Sequence, residues 1–432
     1  MLLAALCYWH SPTMRLSALN SLFSEEVDQV RDLSKSAVMD ARSSEGRDSR
    51  IDTLRGLFLV VMTFDHLPNH PLLRFTAQSF GFVSAAEGFV FVSGIVSAWV
   101  YGRILAEQGE ANLRRRAWHR ARDLYLTYLL LYTLALVGGL WGGRQIASQF
   151  PDFWTGWWHG ALLIYRPPFS GILPMYAVFL LLTPLLLEQM TRGRTLLIGS
   201  ASVALWLAAQ WGVGSPAHNP SWLQLGGFNI LAWQLLFVAG VYFGYRKAAG
   251  RGSPLRASRL LLVFSVVLVA LLFLVRHKVL FVGNLKLVDV PTVLGAWKSI
   301  NHPLRLINFA AFAYILWYLP RSIDKKLHGL SAFRFLRYLG RHSLQVFAWS
   351  ILVAYTASSF RVSWAALSPA WRTLLAVAAA LSLAIPAWLH QRWTLRRANS
   401  FSLTTANTNA PVGTPFAAVG ANDLSLPADG EA

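Results

Sequence analysis

The chain has 432 residues, of which 55% are hydrophobic and only 14% charged, with 18 tryptophans and a mean hydropathy of +0.42. A soluble protein with so little charge cannot cover its own surface, so the composition excludes a set of soluble domains and points to an integral membrane protein. The formal charge of +19 sits in short stretches between apolar runs and no basic helix carries base-reading side chains, which argues for membrane topology and against nucleic acid.

Residues 1–48 are mixed, passing from MLLAALCYW through SLFSEEVDQVRDL to ARSSEGRDSR. No basic region precedes the first apolar stretch and no small-residue cleavage site follows it, so it does not read as a signal peptide. The expectation is a cytoplasmic extension, partly an amphipathic helix and otherwise disordered. Cys7 is the single cysteine, which rules out an internal disulfide and offers no metal cluster.

The first span, near 51–68, lies in RIDTLRGLFLVVMTFDH and carries Asp52 and Arg55 at one end and Asp65 and His66 at the other. Charged side chains inside a spanning helix are costly and mark a functional site by default. Eleven steps of about 100° return His66 to within roughly 20° of Arg55, about 16 Å further along the axis. One stripe therefore reads Arg55, Leu59, Met62, His66. Asp65 points roughly 100° away from His66 and is expected to reach the site from the helix end or to cap it.

Further spans are predicted near 82–102, 121–141, 170–190, 195–213, 225–245, 257–276, 301–320, 338–358 and 370–390, each long enough for about 30 Å of hydrocarbon. The segment 153–165, FWTGWWHGALLIY, is too short to cross and suits an interfacial or re-entrant piece. From residue 393 the chain reads as a polar, disordered cytoplasmic tail. The fold class is thus all-α: ten transmembrane helices in one domain over 49–392, with both termini cytoplasmic. The basic residues agree, with about twenty-two falling on the cytoplasmic side and about nine opposite.

Chemistry-bearing positions recur beyond the first span. Glu87, in EGFVFVSG, lies inside an uncharged run on the outer side with His66. A buried carboxylate needs a partner, and that imidazole is the expected one, raising its basicity as a general base requires; the alternative is a protonated Glu87 bonded to helix backbone. Ser93 is a candidate for substrate binding or, equally, a helix-packing position beside Gly94. Arg305, in NHPLRLINF, needs a partner too, and a ligand carboxylate fits. His342, in LGRHSLQVF, is either an interfacial residue or a contact for an anionic ligand from the cytosol. Asp52 is a further binding candidate; the catalytic candidates are His66, Glu87, Asp65 and Arg55. Phosphate loops, zinc spacings and nucleophile elbows are absent from the sequence.

The Arg55-to-His66 spacing and the FVFVSG block resemble the acyltransferase-3 superfamily. More closely, RIDTLRGLFLVVMTFDH, EGFVFVSG, ILPMYAVFLLLTP at 172–184 and LGRHSLQVF at 339–347 resemble the OpgC family over residues 48–392. That resemblance implies a multi-pass protein of the bacterial inner membrane linked to succinylation of osmoregulated periplasmic glucans. It implies succinyl-CoA as a cytoplasmic donor rather than a bound cofactor, a periplasmic glucan hydroxyl as acceptor, His66 as the catalytic histidine and Arg55 as its paired arginine. A histidine common in the superfamily after the LGRHSLQVF block is replaced here by Trp349 and Ser350. The rival reading is a transporter or channel with Arg55, Glu87 and His66 lining its path.

Overall fold

The computed structural model describes residues 48–76, 78, 81–165, 169–214, 228–276, 297–318 and 329–408. The expectations for residues 1–47 and for the tail beyond 408 lie outside these. All regular structure among the described residues is helical. In chain order the helices are α1 (Ser49–His66), α2 (Leu73–Thr76), α3 (Ala85–Val137), α4 (Trp141–Ala147), α5 (Phe153–Ala161), α6 (Ile172–Thr191), α7 (Thr195–Gln210) and α8 (Ile230–Ala248). They continue with α9 (Arg259–Arg276), α10 (Pro303–Tyr318), α11 (Ser331–Arg341), α12 (Ser343–Ser359), α13 (Arg361–Ala366), α14 (Pro369–Ser382) and α15 (Ala384–Thr408).

Each of the ten apolar segments carries a helix. Four stretches among the described residues are long and apolar enough to cross a membrane: Ala85–Val137, Ile172–Thr191, Arg259–Arg276 and Pro369–Arg396. Two expectations are corrected. The basic stretch after residue 102 is not a loop: the helix runs through it, interrupted only at Gly109 with φ 81° and ψ 178°. That left-handed conformation suits glycine, and it lets the second and third apolar segments join in one bent element. At the other end of the chain, α15 carries helix past residue 393, where the polar tail was expected to begin.

α3 is the hub, packing on α8, α6 and α1. The approach to α8 is close because a Cβ on Gly94 would strike the Phe237 carbonyl and one on Gly240 the Phe91 carbonyl. Small residues at such crossings let helix backbones touch, the usual driving contact where lipid removes the hydrophobic effect between helices. The shared core includes Leu59, Leu113, Tyr128, Phe179, Trp233, Phe237 and Phe347, all at most 2% exposed. By contrast α9 leaves Leu260, Val263, Phe264 and Val267 more than half exposed, the surface expected of a lipid-facing helix.

The start of α1 is tied down. There Asp48 accepts from the Arg50 amide at 3.1 Å and pairs with Lys247 at the close of α8, 2.6 Å away. The amphipathic α11, SAFRFLRYLGR, lies against this end: a Cβ on Gly56 would meet the Leu336 carbonyl, and one on Gly340 the Asp52 carbonyl. Arg114 holds Glu188 through two bonds of 2.9 and 2.8 Å, joining α3 beyond its bend to the end of α6. Toward the far end, the hydroxyl of Tyr128 donates to the Gly160 carbonyl at 2.8 Å, hanging the short α5 on α3. α5 presents Trp154 and Trp158, 66% and 54% exposed, as an interfacial segment would.

Candidate functional site

The apolar stripe of α1 puts polar groups at two levels. Arg55 is buried together with Leu59 and Met62 between them, and His66 is half-buried at the far end. An arginine cannot stay inside apolar surroundings without acceptors. Here its Nη2 donates to the hydroxyl of Ser343, the first residue of α12. Arg55 and Ser343 line a cavity with Arg120 and Tyr176, walled by Phe89, Leu124, Leu344 and Phe347. Two guanidiniums facing one partly apolar cavity can take an anionic group attached to an apolar stem. Asp52, one turn earlier on α1, is 3% exposed; its Oδ2 lies 3.8 Å from Nε of Arg341. That pairing gives Arg341, at the end of α11, a carboxylate partner on α1.

At the other level the His66 ring lies on Phe169, centroids 4.6 Å apart. Phe169 in turn touches Trp141 and Tyr355, so an aromatic wall fixes one face of the imidazole. Nδ1 of His66 has no hydrogen-bond partner among the described residues. Oδ1 of Asp65, at the close of α1, likewise has no hydrogen-bond partner among the described residues, and the Thr76 hydroxyl nearby donates to the Leu72 carbonyl at 3.4 Å. The ammonium of Lys298, from the short turn before α10, lies within electrostatic reach of Asp65, His66 and Glu87.

The expected pairing of Glu87 with His66 is corrected. Glu87 stands at the third position of α3, and a capping box turns its carboxylate back toward the helix start. Its Oε2 accepts from the Ser84 amide at 3.0 Å and the Ser84 hydroxyl at 2.6 Å. Its Oε1 pairs with Nη2 of Arg305, and both side chains are 0% exposed. Arg305 therefore has the protein's own carboxylate where a ligand's was expected, with its Nε and Nη1 lacking partners among the described residues. Asn308, one turn on, receives the Phe82 amide at 2.7 Å and holds the strand of chain that leads into α3.

Ser93 is buried at 1%, with no hydrogen-bond partner for its hydroxyl among the described residues. Its neighbour Gly94 serves the α8 crossing. His342 is the one residue between α11 and α12, and its Nδ1 lies 3.0 Å from Nδ1 of His390 on α15. Trp349 and Ser350 are structural: the indole donates to Ser382 at 3.0 Å and the hydroxyl to the Phe347 carbonyl at 2.7 Å.

A family model described as OpgC protein matches residues 47–395. The chain belongs to the OpgC family. The match takes in every residue of both levels on α1, and with the apolar helices it makes this OpgC-family chain a helical membrane protein. The curated proteins and the solved structures contain no match to it.

Three residues at these sites were not singled out by sequence reasoning. Arg120 continues a buried stripe of Leu113, Ala117, Leu124 and Tyr128 at helical spacing, and that periodicity was the available signal. Lys298 was counted only as an outer-side charge. His390 carries no local signal, since its partner is 48 residues away.

Proposed function

We propose that this protein is a membrane-bound O-acyltransferase of the bacterial inner membrane that moves an acyl group, succinyl from cytoplasmic succinyl-CoA, onto a hydroxyl of a periplasmic glucan. In this reading ten helices cross the bilayer, both termini are cytoplasmic, and the Asp48 end of α1 faces the cytosol. Family membership supports the class of reaction. The observation that carries the assignment is the polarity of α1, with a two-arginine cavity at one level and, at the other, an imidazole whose buried Nδ1 has no partner among the described residues.

The roles follow from that geometry. Arg55 and Arg120 hold the anionic donor, with Ser343 orienting Arg55. The glucan hydroxyl attacks the thioester carbonyl while His66 takes its proton, which is ordinary general-base work for a histidine. The C–S bond then breaks, the new ester leaves on the sugar, and the proton ends on the thiol of CoA. Phe169 keeps the imidazole in place. Glu87, Asp65, Lys298 and Arg305 set the charge around it, and Asp52 anchors the donor end through Arg341. In this reading Ser93 and His342 assist substrate binding rather than the proton transfer.

The test is His66→Ala in membranes carrying the full chain, with glucan charge and mass read after incubation with succinyl-CoA. Acyl transfer is expected to be lost with the protein still folded and inserted. Glucans substituted as fully as with the unaltered protein would overturn the assignment and favour a transport path along α1.

A further inference from the structure

His342 is a joint. It ends α11 and begins α12, with φ −109° and ψ 33°, so its conformation sets the angle between a helix held on α1 and a helix of the core. α11 cannot slide, because Gly56 and Gly340 bring its backbone against that of α1. α12 starts at the next residue, Ser343, whose hydroxyl is the acceptor for Arg55. Any turn at His342 therefore moves that hydroxyl directly.

The imidazole of His342 is gripped from the third side by α15, which packs on both α11 and α12. Nδ1 of His390 stands 3.0 Å from Nδ1 of His342. The Tyr338 ring covers His342 edge-on at 5.3 Å, and Trp393 lies 6.2 Å from His390. Two imidazole nitrogens at that distance require one N–H donor and one lone pair, so at least one of the two rings is neutral.

We propose that His390 is a positioning residue for the donor site: by holding His342 it fixes the α11–α12 joint and keeps Ser343 in register with Arg55. The inference rests on the acyltransferase reading for its consequence in catalysis, and on the geometry alone for its effect on Arg55. Displacing a substrate-orienting group by about 1 Å is enough to weaken a site severely even when the change lies away from the chemistry.

The experiment uses the full chain in lipid nanodiscs and compares His390→Ala with His390→Asn. Asparagine places its amide nitrogen and oxygen about where Nδ1 of histidine stands, so it can still meet His342. The first readout needs no turnover: modification of Arg55 by phenylglyoxal, followed by peptide mass spectrometry. His390→Ala is expected to raise the rate of Arg55 modification several-fold, and His390→Asn to return it close to that of the unaltered protein. The second readout is kinetic. His390→Ala should raise KM for succinyl-CoA by about tenfold with kcat changed less than about twofold, the pattern of lost donor binding. His390→Asn should restore most of it.

Arg55 modification unchanged in His390→Ala, or altered equally in both variants, overturns the proposal. So does an equal fall in kcat for both variants with KM unmoved, which is what a merely structural role predicts. Absence of transfer by the unaltered protein would defeat the acyltransferase reading instead, while the Arg55 modification still decides the positioning role.

Discussion

Replacing Glu87 by glutamine tests the central electrostatic feature of the fold. The change keeps the side chain's length, and an amide oxygen can still serve the capping box with Ser84. What it removes is the negative charge opposite Arg305, where both partners are 0% exposed. Removing one member of a buried pair leaves an uncompensated charge and costs about 3–5 kcal/mol. Unfolding entropy of roughly 2 cal/mol/K per residue turns that, for a chain of this length, into a Tm lower by about 3–6 °C. The assay is thermal unfolding of the full chain in detergent, followed by tryptophan fluorescence. The informative variant is the double, Glu87→Gln with Arg305→Met, because with both charges gone neither is left buried and uncompensated. We expect it to recover to within about 1 kcal/mol of the unaltered protein. If the two losses simply add, the pairing of Glu87 with Arg305 is not what stabilises this end of α3, and the reasoning is refuted.

Two further perturbations probe the ends of α1. Gly340→Val places carbon atoms against the backbone of Asp52, which no rotamer relieves, so α11 must lift; a loss of about 1–3 kcal/mol is expected, read as a lower Tm, and an unchanged Tm would show that α11 is not seated on α1. At the other end, burial holds the His70 imidazole below its usual pKa, opposed in part by its hydrogen bond to the Phe64 carbonyl. The unfolded ring binds its proton first as pH falls, so the stability this group contributes is complete above about pH 6.5 and is lost below it, toward the folded value. Hydrogen exchange over residues 64–76, corrected for the intrinsic pH effect, should show protection falling between pH 7.5 and 5.5; equal protection at both would contradict the burial of a neutral ring.

The stripe on α1 was legible because helical periodicity is a local property: Arg55, Leu59, Met62 and His66 share a face whatever surrounds them. The mistake at Glu87 has an equally local origin. A buried acid on the same side as a histidine suggests a pair, but the capping box at Ser84 aims the carboxylate away, and only the placement of α10 shows that Arg305 meets it. The break between the second and third apolar segments was read from the density of arginines, which marks a membrane boundary without saying that the helix ends there. One glycine at 109 bends the helix, and the basic stretch stays helical.

The amino-acid sequence by itself determined that this is a helical membrane protein, where its apolar segments lie, and which charges they carry. These follow from hydropathy and periodicity, which depend on near neighbours along the chain. Only the tertiary structure decided the partners: Ser343 for Arg55, Arg305 for Glu87, Phe169 for His66 and His390 for His342. Each of those pairs is separated by at least 48 residues, so no local pattern specifies it. Packing alone brings the two side chains together, and lone buried polar groups are too costly for the fold to leave them apart.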